Sequence, residues 1–210
     1  MDEEDEVNEV ESGPPRRKRG RPTGDERLQR RDDIIDAAVR LFVRDGFEQV
    51  SLDDIAAEAH VTKRTIYGYI GDRTEIFLAA VERLRERTLH PADHADESLA
   101  QVAAGVVMTL QSDEAVGLHR LMIAEARRFP ELARRFYMEG PQGYIAALQQ
   151  LLPDHDRARA EALFELLLGE SHRQRLLGLR DAPDAVAARA QAKAALAAVG
   201  LARGHADERG

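Results

Sequence analysis

The sequence predicts an all-α protein, and three observations carry that reading. No stretch shows the period-two alternation of a half-buried strand, whereas apolar residues recur at spacings of three and four in segment after segment. Aromatic residues make up only 5% of the chain and tryptophan is absent. Ala, Leu, Arg and Glu are abundant instead, and these side chains lose little rotamer freedom in a helix. At 210 residues the chain can form one large or two small domains whose core needs no covalent staples, and two parts are expected. The absence of cysteine excludes disulfides, thiolate metal sites and cysteine nucleophiles, and fits a reducing compartment. Nowhere do about 18 apolar residues run uninterrupted, and "MDEEDEVNEV" is the opposite of a signal peptide, so a soluble cytoplasmic protein is expected.

The formal net charge of −8 is unevenly spread. The first eleven residues hold seven acidic side chains and no basic one, while eight basic residues between Arg16 and Arg31 face only Asp25 and Glu26. A basic segment beside an acidic one is a footprint of nucleic-acid binding that the average conceals. Residues 1–26 lack apolar periodicity and carry Gly13, Pro14, Pro15, Gly20, Pro22 and Gly24, so they are expected to form a disordered tail.

Structure is expected to begin after this tail. In "RDDIIDAAVRLFVRDGF", Ile34, Ile35, Ala38, Leu41 and Phe42 mark one face of a first helix. Gly46 follows as a residue able to take positive φ, with Phe47 placed to fold back on the last turn. Ser51 with Asp54 resembles a capping box that starts the short helix "LDDIAAEA". His60 and Val61 interrupt it, and Thr62 is then the N-cap of a third helix, "KRTIYGYI". Asp72 with Glu75 repeats the capping pattern before a fourth helix that ends near Leu89, ahead of Pro91. From about Glu97 onward, five or so further helices are expected, punctuated by Pro130, Pro141, Pro153 and Pro183.

Helix, tight turn, helix is an arrangement that can read DNA. A helix entering the major groove needs hydrogen-bonding and cationic side chains on its outer face and an apolar back to hold it to a scaffold. The third helix has both: Lys63, Arg64 and Thr65 lie on its first turn, Tyr67 and Tyr69 lie further along, and Ile66 and Ile70 form the back. Ser51, Thr62 and Arg73 complete the DNA-facing set, with Arg73 placed to hold the opposite phosphate wall. From these residues alone a solvated basic helix face, with Tyr67 in the core, is the competing account.

The ordered elements "AAVRLFVRDGF", "SLDDIAAEA" and "VTKRTIYGYI", followed by a capped fourth helix, resemble the DNA-binding domain of the TetR family of bacterial transcriptional regulators from Arg31 to about Leu89. The resemblance implies a DNA-binding domain over residues 28–89 and a helical effector-binding and dimerisation domain over residues 90–205, with dimers formed through the last two long helices. Their candidates here are residues 155–178, which include the apolar run "ALFELLLG", and the Ala-rich residues 183–202. Close pairing between two chains and ordinary packing within one chain are both open for them. Met108, His119, Met122, Phe129 and Phe136 are candidates to line an effector pocket suited to an apolar or aromatic ligand, against a reading of the same residues as plain core. Three positions depart from the family pattern: His60 where glycine is usual at the turn, Ile70 where phenylalanine is common, and Arg73 where lysine is typical. His60 is either a mildly strained turn residue or a pH-sensitive or phosphate-contacting group.

In the tail, the "RGRP" of Arg19, Gly20, Arg21 and Pro22 resembles an AT-hook, whose extended backbone lets arginines lie in a narrow minor groove. A non-specific basic arm drawn to phosphates is the alternative. His90, Asp93 and His94 mimic a metal pair, but Pro91 lies inside the spacing and no metal or other cofactor is expected. No nucleophile elbow, phosphate loop or paired-carboxylate signature points to an enzyme. The expected protein is a dimeric, nucleoid-associated regulator that binds a palindromic operator on double-stranded DNA, most simply a repressor released by a small-molecule effector. An architectural DNA-binding protein without a ligand switch is the alternative.

Overall fold

The structure, a computed structural model, describes residues 24–89 and 99–201. Among these residues there are ten helices and no strand. The first four are α1 (Gly24–Asp45), α2 (Leu52–Glu58), α3 (Lys63–Tyr69) and α4 (Arg73–Leu89). They are followed by α5 (Leu99–Leu110), α6 (Asp113–Glu125), α7 (Pro130–Glu139), α8 (Pro141–Leu151), α9 (Arg157–Leu177) and α10 (Ala185–Ala198). The second part thus contains six helices where five or so were expected.

α1 starts inside the stretch expected to be tail. Asp25 and Glu26 form its first turn, where the positive end of the helix dipole favours carboxylates. At the other end Gly46 has φ of 88°, its amide donates to the Phe42 carbonyl at 3.0 Å, and Phe47 returns to Phe42 with ring centroids 5.2 Å apart. The arm residues Arg19, Gly20, Arg21 and Pro22 lie outside the described residues.

Capping fixes the short helices. Ser51 Oγ accepts from the Asp54 amide at 3.2 Å while the Asp54 carboxylate accepts from the Ser51 amide at 2.8 Å, a reciprocal box that starts α2. The hydrogen bonds from Ser51 hold the Asp54 carboxyl below the usual carboxylate range. Thr62 Oγ1 accepts from the Thr65 amide at 3.1 Å and starts α3. Between them His60 takes φ of 52°, the left-handed conformation that glycine adopts without strain. Asp72 accepts from the Glu75 amide at 3.0 Å, but the Glu75 carboxylate does not reach back to complete the pattern. It pairs across the fold with Arg135 of α7 at 2.7 Å.

Two apolar cores result, and they do not divide at residue 90. One unites α1 to α4 with Ala115, Leu118, Leu121 and Met122 of α6 and Leu132 of α7. The other joins α5, α8, α9 and α10. Arg83, buried on α4, ties the first core together: its guanidinium meets Asp36 of α1 at 2.6 Å and Glu114 of α6 at 3.0 Å. Burial works against its charge, but these carboxylates outweigh it and raise its pKa.

The long helix expected over residues 155–178 is interrupted. Gly169 has φ of 55° and ψ of −154°, a conformation essentially confined to glycine, and α9 bends there. The backbone carbonyls released by the break are taken up by Gln191 of α10, whose Nε2 donates to Leu167 O at 2.7 Å and to Leu168 O at 3.3 Å. Sequence periodicity cannot show such a break, because a glycine inside a helical pattern is usually tolerated.

Candidate functional site

The first turn of α3 stands out from the scaffold while Ile66, fully buried, anchors it. Thr62, Lys63 and Arg64 are exposed, and Tyr67 is 60% exposed, which removes the reading of Tyr67 as core. The Arg64 side chain has no hydrogen bond or ion pair among the described residues. Lys63 Nζ lies 3.0 Å from Asp53 of α2, and both side chains are solvated, so the pair is weak and opens easily. The Thr62 and Thr65 hydroxyls are 2.9 Å apart. The exposed face of α3 therefore displays two cations, hydroxyls and a phenol.

Three residues grouped with this face have work inside the fold. The Ser51 hydroxyl belongs to the α2 cap. Tyr69 lies three positions after Ile66, hence on the same helical face, and its half-buried ring packs on the first core with the Arg27 guanidinium 5.6 Å from its centre. Arg73, read as a hand for the phosphate wall, instead donates from Nη1 to the backbone carbonyls of Glu48 and Val50, both at 2.8 Å, and lies 4.6 Å over the Phe47 ring. It clamps the loop between α1 and α2. The Arg27 contact also brings the basic start of α1 beside the end of α3, which the sequence does not suggest because its apolar periodicity marks the first helix only from Arg31.

A second feature is an apolar cavity of about 60 Å³ between the two cores. Its wall includes Val81 and Leu84 of α4, Leu110 of α5, Leu118 and His119 of α6, Phe136 of α7, Tyr144 of α8, and Phe164, Leu168 and His172 of α9. Of the residues expected to line a pocket, His119 and Phe136 are on this wall. The other three are not. Met122 is buried in the first core, Phe129 rests on Phe47 with centroids 5.1 Å apart, and Met108 is 39% exposed on α5.

His172 was missed, because its orientation depends on the bend at Gly169. It is 6% exposed, stacks on His119 with ring centroids 5.3 Å apart, and places Nε2 3.1 Å from His119 Nδ1. Burial lowers the pKa of His119. For His172 burial, then the His119 and Arg175 charges, lower it to about 4. Both imidazoles are therefore neutral near pH 7. Burial pushes the Tyr144 phenol up to about 12.

Rings connect the two features. Phe47, beneath Arg73, contacts Phe77 of α4 at 5.9 Å; Phe77 contacts Phe136 at 6.1 Å; and Phe136 contacts His119 at 5.7 Å. Among the described residues there is no cluster of three or more His, Cys, Asp or Glu that could hold a metal, and no helix long and apolar enough to cross a membrane. His90, Asp93 and His94 lie outside them.

Residues 34–80 match the family described as bacterial regulatory proteins, tetR family, and residues 97–202 match the AefR-like transcriptional repressor C-terminal domain. The chain belongs to the TetR family. It is 30% identical over 170 residues to the HTH-type transcriptional regulator BetI of Agrobacterium fabrum, covering 73% of this chain and 82% of that one. The Flavonoid-responsive Regulator FrrA superposes with a TM-score of 0.59 at 28% identity, over 82% of this chain and 95% of that one. A TetR-family regulator from Mesorhizobium loti gives a TM-score of 0.62 at 24% identity, over 82% and 96%, and supports the fold. As a TetR-family member this protein is a DNA-binding transcriptional regulator, with α2, the turn at His60 and α3 as its helix-turn-helix. At that turn His60 adopts the positive φ that a glycine takes without strain.

Proposed function

We propose that this protein is a homodimeric repressor that reads a palindromic operator with α3 and is released when a small molecule fills the cavity beside His119. The observation that carries the DNA half is the exposed first turn of α3. Lys63, Arg64 and Thr65 reach base edges in the major groove, with Tyr67 and Thr62 toward the backbone. Ser51 and Arg73 position this face through the α2 cap and the α1–α2 loop, and Tyr69 seats α3 on the core. The arm at Arg19, Gly20, Arg21 and Pro22 follows the minor groove. DNA binding resides in residues 28–89 and regulation in residues 90–205, although packing crosses that line. The protein acts as a regulator and not as an enzyme, in the cytoplasm on the nucleoid.

Dimerisation through α9 and α10 is supported by the apolar and small side chains they leave uncovered. Leu166, Leu177 and Val186 are exposed, as are Ala162, Ala190 and Ala194. Small residues allow helices of two chains to approach closely. Two recognition helices then lie about 34 Å apart, one helical turn of DNA.

The switch follows from size. A pocket for a drug-sized ligand occupies about 300 Å³ or more, so a ligand larger than the 60 Å³ space must displace its walls. One wall is α4, whose first residue is the Arg73 that clamps the α1–α2 loop. Displacement of α4 in both protomers changes the separation of the recognition helices, and ligand and operator must then weaken each other's binding equally.

Selection of bound fragments from random DNA by the purified protein tests this directly. A palindromic consensus is expected, and Arg64→Ala should relax one position of each half-site at a cost of roughly 1–3 kcal/mol. A consensus without two-fold symmetry, or none, would refute the dimeric reader.

A further inference from the structure

The outer face of α3 has no cover among the described residues. Lys63 and Arg64 are exposed, the Arg64 guanidinium is unpaired there, and Lys63 meets only the solvated carboxylate of Asp53. Tyr67 on the same helix is 60% exposed. Two accessible cations with a bare phenol fit an anionic partner that also has some apolar surface.

The chain carries a segment of that chemistry. Asp2, Glu3, Glu4, Asp5, Glu6, Glu9 and Glu11 bring seven carboxylates and no basic side chain, with Val7 and Val10 among them. Residues 2–6 are acidic at every position. In an extended chain that is one charge per roughly 3.3–3.6 Å. One strand of duplex DNA carries a charge per roughly 3.4 Å. The two match in linear charge density, so cations placed for a phosphate strand suit this segment as well.

The segment lies outside the described residues, but the point where its tether joins the fold does not. α1 begins at Gly24, and the Arg27 guanidinium lies 5.6 Å from the centre of the Tyr69 ring, so the chain enters beside the end of α3. From Tyr69 back to Lys63 is about 9 Å of helix. Residues 12–23, between Glu11 and Gly24, can span up to roughly 40 Å. Reach is ample, and a tether of this length holds the segment at an effective concentration on the order of millimolar. Arg16, Arg17, Lys18, Arg19 and Arg21 within the tether compete for the same carboxylates, but five cations leave two of the seven unmatched. They also offer no apolar surface to Val7 and Val10, whereas Tyr67 of α3 and Leu28 of α1, 63% exposed, do.

We propose that residues 2–11 dock on the exposed face of α3 when DNA is absent, as a surrogate for a phosphate strand. Its effect on DNA binding rests on the reading of α3 as the DNA reader. Any duplex must displace the segment first, so affinity for operator and for random DNA falls by the same factor. The contact is electrostatic and weakens as salt rises.

The test compares the full chain with a full-length variant whose seven carboxylates are made neutral, each Asp→Asn and each Glu→Gln. Without DNA, the backbone amide resonances of Lys63 to Tyr69 should differ between the two proteins at about 0.1 M salt and coincide at about 1 M, where the screening length falls from about 10 Å to about 3 Å. The neutral variant should bind a random-sequence duplex roughly tenfold more tightly at low salt, with the gap narrowing as salt rises. Loss of seven charges also removes general repulsion from DNA, so the gain is measured again in Lys63→Gln/Arg64→Gln. Docking on α3 makes the gain smaller there, whereas repulsion leaves it the same. The proposal is overturned if only the amides of residues 16–21 respond, which places the segment on the arm, or if the gain is the same with and without Lys63 and Arg64. If Lys63→Gln/Arg64→Gln leaves the DNA affinity of the neutral variant unchanged, the reading of α3 as the DNA reader falls instead, and the amide shifts without DNA still decide the docking.

Discussion

Replacing Arg73 by alanine separates the two roles open to this side chain. Its Nη1 donates to two backbone carbonyls, of Glu48 and Val50, and the guanidinium covers Phe47. Hydrogen bonds to a charged group contribute about 1.5–3 kcal/mol each when buried, but both bonds here leave one nitrogen of a half-buried side chain, so about 2 kcal/mol for the two together is appropriate. The guanidinium over the ring adds about 0.5 kcal/mol. Arg73→Ala should therefore destabilise the fold by about 2.5 kcal/mol in urea unfolding, compared at one protein concentration because a dimer's stability depends on it. DNA affinity should fall because the α1–α2 loop loosens, with the salt dependence of binding unchanged. A stability loss under about 0.5 kcal/mol, together with a salt slope shallower by about one, would refute the clamp and restore Arg73 as a phosphate contact.

Three further outcomes are expected. Gly169→Ala should cost about 1–2 kcal/mol, since a conformation essentially restricted to glycine costs an alanine about 1–3 kcal/mol and the stiffer unfolded chain returns about 0.4–1; space is not the obstacle, as the nearest atom to the new methyl is Gln191 Nε2 at 4.0 Å, and unchanged urea unfolding would mean that α9 straightens freely. His60→Gly should leave the thermal midpoint unchanged or raise it slightly, because relief of the left-handed strain and the added freedom of the unfolded chain nearly offset each other; a loss above about 1 kcal/mol would give the imidazole a structural role. Because the folded His172 takes its proton near pH 4 and an unfolded histidine takes it near 6.5, the unfolded state binds more protons below pH 6.5. The stability held above that pH is lost as pH falls through this window, with a slope of up to about 1.4 kcal/mol per pH unit. His172→Phe should flatten the decline between pH 6.5 and 5, where carboxylates contribute little, and an unchanged profile would place the titration elsewhere.

Local chemistry was legible and rotation was not. The starts of α2, α3 and α4 follow from the side chains of Ser51, Thr62 and Asp72, which satisfy amides one turn away, and the positive φ at Gly46 follows from the freedom of glycine at a helix end. Tyr69 was within reach of the sequence too, since its spacing from Ile66 already sets its face. Arg73 was not, because its acceptors are carbonyls more than twenty residues away. The cavity was legible only in part: His119 and Phe136 lie on the wall, but Met122 is one turn from Leu118 on the side of α6 that faces the first core. His172 needed knowledge of a backbone break that glycine permits and no periodicity announces.

The seam between the two cores sets where this chain can be cut and rejoined. A graft at residue 90 that gave α1 to α4 a foreign regulatory half would strip Leu118, Leu121 and Met122 from the core they complete and leave Arg83 without Glu114. The recipient half would have to supply matching apolar side chains and a carboxylate at the same places, or the chimera would expose a sticky face and precipitate. A head that travels with α6 and α7 attached carries its own lining, but α5 would then have to be bridged. Substitutions at the first turn of α3 are simpler, since Lys63 and Arg64 are exposed and can change without disturbing either core.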